Sequence, residues 1–243
     1  MAVQLTPALL GSIAKAALQN ASGLVDESRI LLDSGRYARS LALAVLAADE
    51  FGKHMLCVSS SPLDLDDPKV VKKFWNRFRS HEAKYQNWHG QLIDMITLDP
   101  GDEHDPEAWE EMWAELPEVV GQAMQIKMGS LYVDLDGETG EIRVPSELVI
   151  VELAESVWKS VSLVIEPIKA LWGDADLATF LEGTSPKLQA AFKEMTAAKS
   201  RGDAPRVAEV FRDLLGRDSM SDREFEEIVR RVEEGGSRAV TNE

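Results

Sequence analysis

The sequence predicts an all-α protein, a helical bundle that carries one small β-hairpin and a C-terminal helical extension. Three observations lead there. Apolar residues recur at steps of three and four over long stretches, as in Val71, Phe74, Phe78, His81, Tyr85, Trp88, Leu92 and Met95, the pattern of a helix buried along one side. Helix-start pairs stand where such stretches open, Thr6–Pro7 and Asp67–Pro68 among them. A strand-like run occurs once, in two short segments around Gly137.

Taken in order, residues 6–33 form a first helix, stopped by Ser34 and Gly35. A second follows, with Tyr37, Leu41, Ala44 or Val45, Ala48, Phe51 and Met55 along a broad apolar stripe whose alanines favour close packing. Asp67 caps a long third helix, running unbroken toward Ile96, in which His81 takes a core position. An acidic loop at 99–107 leads to a helix from about Pro106 to Met128, with Pro117 a point where it can break. Leu131–Gly137 and Glu141–Pro145 read as the hairpin, and Ser146 caps a helix through Leu171 that Pro167 can kink. Shorter helices are expected near 186–199, 204–216 and 222–234, which divides the chain into a helical domain over 1–172 and an extension over 173–243.

Composition narrows the function. A single cysteine, Cys57, excludes an internal disulfide framework and fits a reducing compartment. No window approaches the roughly 18 to 20 apolar residues of a membrane span, and no basic-then-apolar leader opens the sequence, so a cytoplasmic protein with no membrane partner is expected. The net charge of −16 opposes long-range attraction to a phosphate backbone, so any nucleic-acid role needs a local basic site. Lys69, Lys72, Lys73, Arg77, Arg79 and Lys84 crowd one segment, whereas residues 99–118 hold many acids and no Lys or Arg.

Two constellations can carry chemistry. Arg77, His81 and Lys84, at spacings of four and three, can converge on one anion: the arginine fork grips a phosphate, and a histidine can pass the proton of a ribose hydroxyl. Asp49, Glu50, Lys53 and His54 interrupt a nearly pure Ala/Leu/Val stretch late in the second helix. If that helix packs beside the third, Glu50 can orient His81 or pair with Arg77 or Arg79. The competing readings are structural: a core histidine satisfied by a carboxylate, and an Asp49–Lys53 ion pair on an exposed turn. Asp134, Asp136 and Glu141 lack the calcium-loop pattern and read as hairpin residues. There is no HExxH, phosphate-cradling glycine loop or GxSxG elbow, so neither a metal site nor a cofactor is expected.

Three segments resemble the AbiV abortive-infection proteins. The run from Gly35 through Ala48-Asp49-Glu50-Phe51-Gly52-Lys53 resembles their alanine-rich helix ending in acidic-acidic-x-Gly-Lys. His81-Glu82-Ala83-Lys84 is similar to their His-x-x-Lys segment, and Leu131-Tyr132-Val133-Asp134 with Val144-Pro145 to their hairpin. Together they cover about residues 12 to 172. The resemblance implies a HEPN-like module, of a kind that usually dimerises and often cuts RNA without a metal through an Arg-(x)4-6-His motif. This chain departs from that motif, because three residues separate Arg77 from His81 and one separates Arg79 from it; Lys84 has the right spacing to His89 but is the wrong cation.

The expectation is thus an anti-phage protein that halts growth or translation of the infected cell. His81, Arg77 and Glu50 are the catalytic candidates, and Arg79, Lys84 and Lys53 would bind RNA phosphate. Partners implied are a second copy of the chain, a phage-encoded or host translation-related protein, and RNA. The alternative is a non-catalytic helical module that senses or sequesters a phage or host protein through its acidic surface.

Overall fold

In the computed structural model, residues 4–97, 121–122, 125–135, 137, 139–201 and 203–215 are described. In order they form α1 (Pro7–Asp33), α2 (Tyr37–Ser60), α3 (Pro68–Arg79) and α4 (His81–Thr97). A helical segment at residues 125–131 (α5) comes next. It is followed by β1 (Asp134–Leu135), β2 (Ile142–Arg143), α6 (Pro145–Leu148), α7 (Val151–Trp172), α8 (Leu177–Ser200) and α9 (Ala204–Leu215). The described residues fall into two compact units, one extending to Ser61 and from Leu65 to Leu181, the other comprising Pro62–Asp64 and the residues from Glu182 onward.

α1 starts where the sequence says it should: the Thr6 hydroxyl accepts from the Leu9 amide at 3.1 Å and Pro7 fills the first turn. Leu10, Ala14, Ala17, Leu18, Ala21, Val25, Ser28 and Leu32 keep one buried stripe along it. Gly35, at φ 70°, makes the turn into α2 in a conformation that a side chain would strain. The two helices run antiparallel. Ser28 meets Ser40, and fourteen residues further along each, in opposite senses, Ala14 meets His54.

α2 is the central element, buried on nearly every side and packed by α1, α4 and α7. Its alanines permit that. Gly52 permits more, because a Cβ there would stand 2.0 Å from the carbonyl oxygen of Lys84, so the α4 backbone lies directly on α2. One core cluster joins Leu41, Val45, Ala48 and Phe51 to Tyr85 and Trp88 of α4 and to Val161, Val164 and Ile165 of α7; a second gathers Leu10, Leu56, Cys57, Phe74 and Leu177.

Several expectations are corrected here. The third helix is two helices: Ser80 is extended (φ −80°, ψ 121°) and its hydroxyl accepts from the Ala83 amide at 3.2 Å, so a serine that can bond the backbone closes α3 and caps α4. The apolar seam divides there, with Phe74 in one cluster and Tyr85 and Trp88 in the other. His81 is consequently no core residue, since it opens α4 with its side chain 59% exposed. The hairpin is reduced to two-residue strands, Asp134 opposite Arg143 and Leu135 opposite Ile142, because the helix reaches residue 131.

The helix expected from Ser146 is interrupted at Val149 and Ile150, both extended, between α6 and α7. α8 begins at Leu177, earlier than expected, and keeps Pro186 within it. Leu177 and Leu181 are buried in the first unit, and the division between units falls after Leu181. In the second unit Arg206 ties α9 to α8, 2.5 Å from Glu194, and also pairs with Glu209. The helix expected at 222–234 and most of that expected from Pro106 lie outside the described residues.

Candidate functional site

The α2–α4 contact creates the site. Gly52 brings the Lys84 backbone onto α2, and Asp49, one turn earlier, faces the same neighbour. Ser80, by capping α4, makes His81 the first residue of that helix and sets it against Asp49. The result is a hydrogen bond of 2.7 Å between His81 Nδ1 and Asp49 Oδ2. The carboxylate can only accept, so Nδ1 carries the proton and Nε2 remains for chemistry on a ring that is more than half exposed.

Asp49 itself is 3% exposed, and a buried carboxylate needs compensation. Lys127 of α5 supplies it at 2.6 Å from the same Oδ2, with its own side chain 9% exposed. Lys84 is also buried, and its ammonium and that of Lys127 each stand 3.4 Å from His81 Nδ1. Because Nδ1 is committed to Asp49, neither ammonium gains an acceptor from it. Burial pushes the Lys84 amine below its ordinary value, Asp49 pulls it back up, and Lys53 and Lys127 add repulsion. Asp49 Oδ1 is buried with no hydrogen-bond partner among the described residues.

The cluster is therefore over-supplied with positive charge and has an acceptor to spare. Three lysines, Lys53, Lys84 and Lys127, surround two carboxylates, Asp49 and Glu50, and Glu50 pairs with Lys53 along α2. Chemically this is an oriented base with ammonium groups behind it, suited to moving a proton at Nε2 while an anion is near.

Of the residues singled out in the sequence, His81 and Lys84 meet, and Glu50 and Lys53 lie beside them on α2. The carboxylate that reaches His81 is Asp49, not Glu50. Arg77 donates instead to Asn87 Oδ1 at 2.9 Å, and the Arg79 guanidinium sits 5.8 Å from the Trp75 ring centre. The Asp49–Lys53 pair of the structural reading is replaced by Glu50–Lys53. His54 turns the other way, donating from Nδ1 to the Ala14 carbonyl at 3.0 Å, and burial holds it below its ordinary pKa.

Lys127 was not among the sequence candidates. A signal was present: it is the only Lys or Arg between Lys84 and Arg143, so a cation there stands out in an acidic stretch. Among the described residues no three His, Cys, Asp or Glu side chains come together as metal ligands, and no helix is long and apolar enough to cross a membrane.

An α2-centred helical bundle with a small antiparallel hairpin, and a histidine held beside α2, is a HEPN-like helical module. Residues 10–166 match the AbiV family model, HEPN_AbiV, and the chain belongs to that family. No curated protein and no solved structure matches it.

Proposed function

We propose that this AbiV-family protein defends a bacterial cell against phage by halting growth or translation after infection, with His81 as the acid–base group acting on RNA. The observation that supports this most is the buried Asp49 fixing Nδ1 of an exposed His81, since a purely structural histidine has no need of an open Nε2. Asp49 takes the orienting role that the sequence suggested for Glu50, and the excess of ammoniums (Lys53, Lys84 and Lys127) over carboxylates (Asp49 and Glu50) supplies the local positive charge that a chain of net charge −16 requires near a phosphate. The proposed chemistry calls for no metal, because the charge beside His81 is supplied by ammonium groups. The protein acts in the cytoplasm as a homodimer.

RNA cleavage by the purified protein in EDTA tests the chemistry. The wild type should cut, while His81→Ala and His81→Gln, both folded, should lose at least about 100-fold in rate, the usual contribution of acid–base catalysis. Full cleavage and full phage protection by folded His81→Gln would overturn the role.

A second reading, a non-catalytic module that sequesters a phage or translation-related protein, is favoured by the exposed apolar side chains of Tyr132, Val133, Leu135 and Ile142 around the hairpin. Protection that survives His81→Gln but fails on a Val133→Asp protein that is still a dimer would select it.

A further inference from the structure

We infer that two copies of this chain join through reciprocal insertion of the β1–β2 hairpin of one into a groove at the start of α2 of the other. This rests on the homodimer proposed above and adds the surface that makes it. Tyr132, Val133, Leu135 and Ile142 are 58%, 65%, 61% and 63% exposed, so among the described residues the hairpin presents an apolar knob to solvent. Strands of two residues cannot sustain a free-standing hairpin, and a partner that covers it would hold it. Carboxylates flank the knob at Asp134 and Glu141, both exposed, and outnumber Arg143, which stands opposite Asp134.

Beside it lies a groove of about 620 Å³ with an apolar floor that includes Leu31, Tyr37, Ala42 and Leu43. Arg36 and Arg39 line the same groove, are exposed, and pair with no carboxylate among the described residues. An acidic apolar knob and a basic apolar groove thus stand next to each other, with Leu131, Val144 and Pro145 leading from one to the other. That is the arrangement a two-fold contact requires, because the same patch must present both halves of the match. The apolar floor, and the repulsion that a net charge of −16 exerts on any polyanion, favour a second copy over a nucleic acid.

Charge swapping tests this with the full chain. Arg36→Glu/Arg39→Glu places acids in the groove opposite an acidic knob, and Asp134→Lys/Glu141→Lys places lysines on the knob opposite a basic groove. In light scattering at micromolar concentration the wild type should have twice the 26.9 kDa mass of the chain, and each variant alone should run as a monomer, its dimer dissociation constant raised on the order of 100-fold or more by like-charge contacts. Mixed together, the two variants should recover the dimer, since both contacts of the mixed pair are then complementary. Recovery also excludes misfolding, and Glu at position 36 sits favourably at the start of α2. If both variants remain dimeric, another face makes the dimer and this surface is wrong; if each variant and the mixture stay monomeric, the complementary match of knob and groove is wrong. A monomeric wild type would remove the dimer and the surface together.

Discussion

The two long faces of α2 treat buried polarity in opposite ways. Toward α1, Ser28 donates to the Ser40 carbonyl and Ser40 to the Ser28 carbonyl, both at 2.8 Å, and His54 is matched to Ala14. Each of these three side chains has its acceptor, and none brings a net charge into the core. Toward α4, two buried ammoniums converge on one buried carboxylate, and one of its oxygens has no partner among the described residues. Saturated neutral polarity locks helices in register. Unbalanced buried charge costs stability, and groups perturbed in this way cluster at functional sites.

The sharpest way to break this contrast is to remove Asp49. Asp49→Ala strands Lys127 and Lys84 without their carboxylate and should cost about 3 to 5 kcal/mol in urea unfolding. Little change would mean that the ammoniums escape to water and that the cluster is not truly buried. Gly52→Ala comes next, at about 3 kcal/mol, because its new methyl would collide with the Lys84 backbone and drive α4 from α2; His81 should then lose Asp49, and any RNA cleavage with it.

His89 gives a pH test of the α4 side. Burial against Trp88 lowers it from 6.5 to about 4, so the unfolded chain takes up its proton first. Its contribution is complete above pH 6.5 and is lost as pH falls toward 4. His89→Phe, which keeps a ring, should flatten this fall by about 2 kcal/mol, measured as the difference in unfolding free energy between pH 7 and 4. The smallest effect belongs to the α1 side: Ser40→Ala should cost about 1 kcal/mol and leave phage protection unchanged, because a neutral hydrogen bond contributes only that much.

Much of this was legible in the chain. The caps at Thr6 and Asp67, the stop at Gly35 and the alanine-rich α2 all follow from local chemistry and stand where the sequence places them. The break at Ser80 was hidden because apolar spacing runs straight through it, and periodicity carries no information about which serine will turn its hydroxyl to the backbone.

What the sequence determined by itself was the all-α class, the starts of α1, α2 and α3, the place of the hairpin and the family, since propensity, capping and motif order are local. It also pointed to the acids near residues 49 to 54 and to His81 as the candidate site. Only the tertiary structure decided which acid. Asp49 and Glu50 are adjacent in sequence but point about 100° apart around the helix, and the face that α4 occupies is set by the absence of a side chain at Gly52. The same packing brought Lys127, distant in sequence, to within 2.6 Å of Asp49, because a buried carboxylate takes its counterion from whichever element closes over it.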